Sequence, residues 1–191
     1  ALSTAAVRAL TDAQLGALTS DQIGVLTTAQ VGALSSDQIG GLATGDLNAL
    51  GTAHFAGLSS AQLAGLTTDQ ISNLESSDLR ALSPAALRTL TDAQLGALTS
   101  DQIGSLTNAQ VAGLSTGQIA GLSTDDLNAL TSAQFAALTT AQVNALTAAQ
   151  LGKLETADIA AMNVAALSSD DLGVLTTDHI VALGTAQFAA L

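Results

Sequence analysis

The chain has 191 residues, of which 48% are hydrophobic and 2% aromatic, and its 16 acidic and 4 basic side chains give a net charge of −12. Phosphate binding needs clustered lysine and arginine, so this charge disfavours a nucleic-acid partner. There is no cysteine, which excludes disulfides and thiolate metal sites. No apolar run approaches the roughly 20 residues of a membrane helix, so membrane insertion is not expected.

The chain is built from units of eight residues, here called octads, whose positions are numbered 0 to 7 from the leading leucine. Twenty octads run from Leu2 to Met162 and three more from Leu167 to Leu191, and all 23 begin with leucine. Position 1 is serine or threonine in 18 of the 23, so this residue is a property of the unit. A fixed short period is typical of a repeat architecture.

Each octad reads as the start of a helix, as the segment from Leu90 to Leu98 shows. The Thr91 hydroxyl is placed to accept from the amide of Gln94, whose side chain reaches back to the Thr91 amide in a capping box. Leu90 and Leu95 occupy the two places of a hydrophobic staple. The pattern predicts one helix of about six residues per octad, roughly 9 Å long.

Two other readings of the period fail. In a continuous helix the apolar set would drift by roughly 80° per octad and leave no stable stripe. In a strand, positions 0 and 5 would point to opposite faces. We therefore predict an all-α fold, a solenoid or superhelix of very short helices with positions 0 and 5 inside. Small residues such as Gly96 and Ala97 are expected to allow close approach and to turn the chain. The same phase predicts that Thr99 caps a helix and that Ser100 contributes little.

The organisation predicted is a single repeat array over residues 1–191. Fourteen residues beginning at Thr11 recur unchanged at Thr91, which defines a super-repeat of 80 residues. Duplication explains it, and a whole number of superhelical turns is the alternative. Between Met162 and Leu167 three residues and the cap are missing. We interpret this phase break at 162–167 as a tolerated slip, with a boundary or docking feature as the alternative.

No residue pattern indicates a catalytic, cofactor-binding or metal site. His54 and His179 replace glutamine at position 4 and lie 125 residues apart, so they are interpreted as polar helix-start residues and not as zinc ligands. The pairs Asp125–Asp126 and Asp170–Asp171 fit caps better than weak calcium sites, because no calcium-loop motif surrounds them. We predict no enzymatic activity, no cofactor and no small-molecule substrate.

Tandem units of the form L-T-x-x-Q-[VIL]-x-A-L resemble the octads found in long stretches of large bacterial secreted and cell-surface proteins, some of them adhesin-like. The resemblance covers the whole chain and implies an extracellular or cell-surface scaffold. It transfers no catalytic or ligand residue. The chain lacks the glycine-rich calcium nonapeptides of many adhesins and any recognisable secretion signal.

The sequence favours a structural role, either a stalk or spacer segment of an adhesin or a subunit of an extracellular filament. The array begins in phase at Leu2 and stops in phase at Leu191, whereas terminal repeats of solenoids are usually atypical. The expected partners are neighbouring repeats of a longer chain or further copies joined end to end. Ice binding by rows of threonine is the alternative, although serine often replaces threonine in those rows.

Overall fold

A computed structural model describes residues 2–191, and within them the protein is all-helical without strands. The 23 α-helices have four to six residues each, with one helix per octad as predicted. Two compact units are present; the first ends at Leu98 and the second is Thr99–Leu191. The single repeat array over residues 1–191 remains a prediction.

The helices of the first unit are α1 Thr4–Arg8, α2 Asp12–Leu15, α3 Ser20–Gly24, α4 Thr28–Val31, α5 Ser36–Gly40, α6 Thr44–Asn48, α7 Thr52–Ala56, α8 Ser60–Ala64, α9 Thr68–Ser72, α10 Ser76–Ala81, α11 Pro84–Leu87 and α12 Asp92–Leu95. Those of the second are α13 Ser100–Ser105, α14 Asn108–Gly113, α15 Thr116–Gly121, α16 Thr124–Asn128, α17 Ser132–Ala136, α18 Thr140–Val143, α19 Ala148–Leu151, α20 Thr156–Ala161, the 3₁₀ helix Val164–Ala166, α21 Ser169–Val174, α22 Thr177–Ala182 and α23 Thr185–Phe188.

The helices begin where the capping pattern predicts. Thr91 accepts a hydrogen bond from the amide of Gln94 at 3.2 Å, and the Gln94 side-chain oxygen accepts from the Thr91 amide at 3.0 Å. Pro84, the only proline, occupies the first turn of α11 directly after its N-cap Ser83. Proline is tolerated there because the amide it lacks has no partner within the helix.

The chain changes direction through two consecutive extended residues, the leading leucine and the cap that follows it. Leu106 has φ −56° and ψ 149°, and Thr107 has φ −74° and ψ 156°. Among the described residues no glycine has a positive φ. Contrary to the expectation from the sequence, the turn does not depend on the conformational freedom of glycine.

Within each unit a helix packs against the third helix along, so that three octads form one turn, here called a coil. In the first unit α1 packs on α4, α4 on α7 and α7 on α10. In the second, α14 packs on α17 and α17 on α20. Positions 0 and 5 form the interior, where Leu63 and Ile119 are fully buried. Three octads per turn is a value that the sequence pattern alone does not supply.

Small residues at position 6 permit this stacking. A Cβ atom added to Gly104 would lie 2.6 Å from the carbonyl oxygen of Ala129, one coil further on, and one added to Gly24 would lie 2.9 Å from that of Ala49. Larger side chains at these two glycines would push the coils apart. The close approach expected of small residues is found at Gly24 and Gly104 but not at Gly96, where an added Cβ would meet only the carbonyl oxygen of Asp92 in its own octad, at 3.2 Å.

The phase break is absorbed within the stack. Residues 162–166 form a unit of five residues whose 3₁₀ helix packs against α18, as a full octad in that place would do. Met162 and Val164 are both buried. The short unit keeps one place in the coil, as expected for a tolerated slip.

Large exposed apolar side chains occur, among residues 2–191, only in the first and last coils. They are Leu2, Val25, Val174, Val181, Phe188 and Leu191. Over the same residues no helix has the length and apolar character needed to cross a membrane.

Candidate functional site

The polar side chain at position 4 joins one coil to the next. In the second unit, Gln150 Oε1 accepts from the amide of Thr147 at 2.8 Å and so completes the capping box of α19. Its Nε2 donates to the carbonyl oxygens of Ile119, Ala120 and Leu122, at 3.1, 3.2 and 2.8 Å. These carbonyls belong to the end of α15, where no intrahelical donor remains. One glutamine therefore serves the start of one helix and the end of another.

The same bond recurs along both units, and we call these side chains the glutamine ladder. Each donates from Nε2 to the carbonyl of the residue that leads an octad one coil back, usually 28 residues earlier at 2.5–2.9 Å. The members are Gln30, Gln38, Gln62, Gln70 and Gln94 in the first unit and Gln134, Gln142, Gln150 and Gln187 in the second. Most of them are buried.

This second bond was not predicted, although the sequence carries a signal for it. Position 4 holds glutamine, aspartate, histidine or alanine but never glutamate. Glutamate completes a capping box as well as glutamine does, but its carboxylate has no hydrogen to donate. Glutamine, with histidine as its substitute, fills most of these positions, which indicates that most position 4 side chains need a donor as well as an acceptor.

The two histidines take over the role of the ladder glutamine. His54 Nδ1 accepts from the amide of Gly51 at 3.0 Å, and its Nε2 lies 2.7 Å from the Leu26 carbonyl oxygen. His179 repeats both contacts, with Nε2 at 2.9 Å from the Leu154 carbonyl oxygen. The geometry fits the tautomer protonated at Nε2, which has one donor and one acceptor as an amide side chain does. Their place at helix starts is confirmed.

Two half-buried aspartates at position 4 also act as caps. Asp126 forms a capping box with Ser123 and accepts from the Ser100 hydroxyl at 2.9 Å, one coil back. Ser100, expected to contribute little, therefore makes a bond between coils. Asp171 accepts from the Ser168 hydroxyl at 2.6 Å, and this hydrogen bond lowers the pKa of the Asp171 carboxyl.

Two other aspartates at position 4 are buried, and glutamate replaces the capping residue before them. Asp78 and Asp158 are 3% and 4% exposed, and the side chains of Glu75 and Glu155 make no capping bond. Asp158 Oδ2 is buried without a hydrogen-bond partner. Burial, and next the charge of Glu155, raises the pKa of Asp158 to about 6. Burial and then Glu75 raise the pKa of Asp78 to about 6, against a lowering by His54.

The structure brings none of the acidic or histidine residues into a metal centre within residues 2–191, since no three or more of them converge there. Asp125–Asp126 and Asp170–Asp171 lie in the first turns of α16 and α21. A carboxylate is favourable there because it faces the positive end of the helix dipole. The arrangement supports a capping role for both pairs.

A column of small hydroxyl and methyl groups lies on one side of the first unit, along the stacked helices α1, α4, α7 and α10. Every residue in this column, here called the threonine column, is exposed. Its pairs are Thr4 and Ala5, Thr28 and Ala29, Thr52 and Ala53, and Ser76 and Ser77.

The first coil carries a cavity of about 370 Å³ on its open side, lined largely by Leu2, Leu18, Val25 and Leu26. Gln22 also lines it. This cavity is apolar and is bordered by an amide group.

Short capped helices that stack in coils of three octads, joined by buried glutamines, define a helical repeat protein whose polar pattern is structural. The chain belongs to the ALTTAQ repeat family, whose model matches residues 1–28, 40–76, 71–108, 122–156, 151–185 and 164–191. No curated protein matches the chain.

Proposed function

We propose that the chain is a non-enzymatic structural array, either a stalk or spacer segment of an extracellular or cell-surface adhesin or a subunit of an extracellular filament. The observation that carries this proposal is the glutamine ladder. Polar side chains such as Gln62 and Gln142 use both ends of the amide to hold the scaffold. Side chains committed in this way are not available for acid–base or nucleophilic chemistry.

A spacer can be built by repeating one contact, here the hydrogen bond of a ladder glutamine between neighbouring coils. Within each unit the helices pack against their third neighbours, and the ladder makes the same bond at each step. Nearest-neighbour contacts of this kind allow an array to grow by whole coils without a change in any joint. Length is then set by the number of octads.

The exterior supports a hydrated position outside the cell, as the resemblance to bacterial surface proteins implies. The net charge of −12 keeps the surface hydrated and disfavours contact with nucleic acids and acidic membranes. Protease treatment of intact cells of the source organism tests the location. Cleavage without lysis is expected, and protection until lysis would contradict an extracellular position.

The first coil carries side-chain donors that a stacked coil would use, whether that coil belongs to a second copy in a filament or to the same array in a stalk. Gln14 and Gln22 complete capping boxes through Oε1, but their Nε2 atoms make no bond within residues 2–191. Beside Gln22 lies the apolar cavity of Leu2, Val25 and Leu26. A coil from a second copy would offer leucine side chains and main-chain carbonyls to this surface, in a contact that propagates head to tail.

Sedimentation and electron microscopy over a concentration series distinguish stalk from filament. For a filament we expect fibres that lengthen with concentration, and Val25→Asp, at a side chain 80% exposed, should abolish them. The control Ala61→Asp, on an exposed helix surface, should leave them intact. Monomers at all concentrations would exclude the filament and leave the stalk.

Ice binding is a second candidate because the threonine column places exposed hydroxyl and methyl groups at a regular spacing. Thermal hysteresis and ice shaping by the purified chain test it. If ice binds there, Thr28→Lys should remove the activity while Ser60→Lys, exposed on a different column, retains it. Absence of hysteresis in the unmodified chain would exclude this function.

A further inference from the structure

The buried aspartate of the second unit interrupts the ladder in a specific way. Asp158 follows Leu130 by 28 residues, the spacing at which Gln142 and Gln150 donate to the carbonyls of Leu114 and Leu122. An ionised carboxylate only accepts hydrogen bonds, and so does a carbonyl oxygen. The coil-to-coil bond cannot form at this place while Asp158 is ionised.

The environment of Asp158 favours the neutral acid. The residue is 4% exposed, and its Oδ2 has no hydrogen-bond partner. An unpaired buried charge is costly, whereas a protonated carboxyl gains one O–H donor. That donor replaces the N–H that a ladder glutamine supplies.

The neighbouring elements provide little to hold the ionised form. On its own segment Asp158 is preceded by Glu155, whose acidic side chain disfavours the ionised form, while the backbone hydrogen bond from Glu155 favours it to a smaller extent. Helix α17 carries no titratable side chain, and α22, packed on the other side of α20, carries Asp178 and His179. His179 Nε2 is engaged with the Leu154 carbonyl. No lysine or arginine lies on these three helices.

We propose that Asp158 is a proton-operated joint, which when protonated bonds to the Leu130 carbonyl one coil back and when ionised leaves that bond unmade. Asp78 is its counterpart in the first unit, 28 residues after Leu50. There the acidic neighbour is Glu75, α7 presents His54, and α10 itself carries Arg80. This inference goes beyond the proposed function and does not depend on it.

The direction of the pH effect follows from the shift. Burial, with the charge of Glu155, places the folded-state pKa of Asp158 at about 6, above the ordinary 3.8. The stabilisation is therefore fully present below about 3.8 and is lost as the pH rises through about 6. A shift of this size corresponds to at least a tenfold change in the unfolding equilibrium constant for each joint.

The test is a carbon-13 NMR titration of the aspartate carboxyl groups in the full chain, combined with unfolding measurements from pH 3.5 to 8. We expect the carboxyl signals of Asp78 and Asp158 to titrate near pH 6. A signal of Asp158 that titrates below about 4.5 would overturn the proposal. This measurement uses the unmodified protein and does not depend on any variant folding.

Asparagine variants then test whether the titration of Asp158 causes the pH dependence of unfolding. Asp158→Asn keeps a neutral group with a donor, so we expect it to reduce the pH dependence of unfolding between pH 4 and 6. The double change with Asp78→Asn should nearly abolish it. Asp126→Asn, at a half-buried position 4 whose carboxylate accepts from Ser123, should leave that dependence unchanged. Unaltered pH dependence in the double variant would overturn the proposal.

A last variant tests whether the Ser132 hydroxyl is a hydrogen-bond partner of the Asp158 carboxyl. Ser132 lies 26 residues before Asp158, as Ser100 lies before Asp126, but only the Ser100 hydroxyl bonds to its aspartate. Ser132→Ala should leave the Asp158 titration in place. An upward shift of that titration would mean that the hydroxyl holds an ionised carboxylate, and this result would contradict the proton-operated joint.

Discussion

Two consecutive octads of the second unit share a buried core residue at position 5 but differ at the cap and in the bond to the coil below. The unit with Gln150 has a threonine cap and three hydrogen bonds to the coil below it. The unit with Asp158 has a glutamate at the cap and a buried oxygen without a partner. Yet Leu151 and Ile159 at position 5 are both fully buried. The apolar core thus fixes the register, and the ladder adds stability to a register already set.

The largest effect is expected where the two octads are alike. Leu151→Ala and Ile159→Ala should each cost about 2–5 kcal/mol in the free energy of unfolding, because both leave a cavity in a packed interior. Chemical denaturation of the full chain measures this. Val181→Ala, at a side chain 82% exposed, is the control and should change little. A small cost at only one of the two core sites would contradict a common core.

The second prediction separates the ladder bond from the capping box. Gln150→Ala should cost about 2–3 kcal/mol, since it leaves buried carbonyls without a donor as well as an uncapped helix. Gln22 completes its box with Thr19 but is exposed and makes no bond to another coil. Gln22→Ala should therefore cost only about 0.5–1 kcal/mol. Equal costs in denaturation experiments would mean that the ladder contributes nothing.

The sequence predicts this helical fold well because each helix is specified within its own octad. Thr91 and Gln94 lie three residues apart, and their capping box needs no information from elsewhere in the chain. The number of octads per turn is different, since it depends on backbone angles at residues such as Leu106 and Thr107. Without that number, the carbonyl that Gln150 reaches 28 residues back is not predictable.

The octad pattern also does not separate the hydrogen-bonded aspartates at position 4 from the buried ones. Asp126 lies three residues after Ser123 and is half-buried and hydrogen-bonded, whereas Asp158 lies three residues after Glu155 and is buried with an Oδ2 that has no partner. Both occupy position 4, so periodicity assigns them the same place. In the structure, Asp158 lies on α20, which packs between α17 and α22. The replacement of the cap by glutamate is the single sequence feature that marks the buried pair.

Replacing Asp158 with glutamine would give this octad the same position 4 side chain as the ladder octads. Asp158→Gln should stabilise the chain by about 1–2 kcal/mol at pH 7, because it removes a buried charge and restores a donor. The folded-state pKa of Asp158, about 6, lies above 3.8, so the aspartate is least costly below about pH 3.8. The gain should therefore shrink as the pH falls from 6 to 4. A gain that is the same at both pH values would contradict this account.

The smallest effect is expected at Glu155, the N-cap residue of α20. Glu155→Thr should stabilise the chain by about 0.5–1 kcal/mol, because a threonine hydroxyl can accept from the amide of Asp158, which the Glu155 side chain does not do. At the neighbouring octad, Thr147→Ala removes an existing cap and should lower the free energy of unfolding by a similar amount.

Glu155→Thr acts in two ways, and a second background separates them. It adds a cap, which does not depend on pH, and it removes a charge that raises the pKa of Asp158, so the titration of Asp158 should move to lower pH. In an Asp158→Asn background only the capping gain remains, and the effect of Glu155→Thr on unfolding should then be constant from pH 4 to 7. If the effect still varies with pH there, the charge of Glu155 acts on a group other than Asp158, and the comparison between the two octads no longer rests on a single carboxyl.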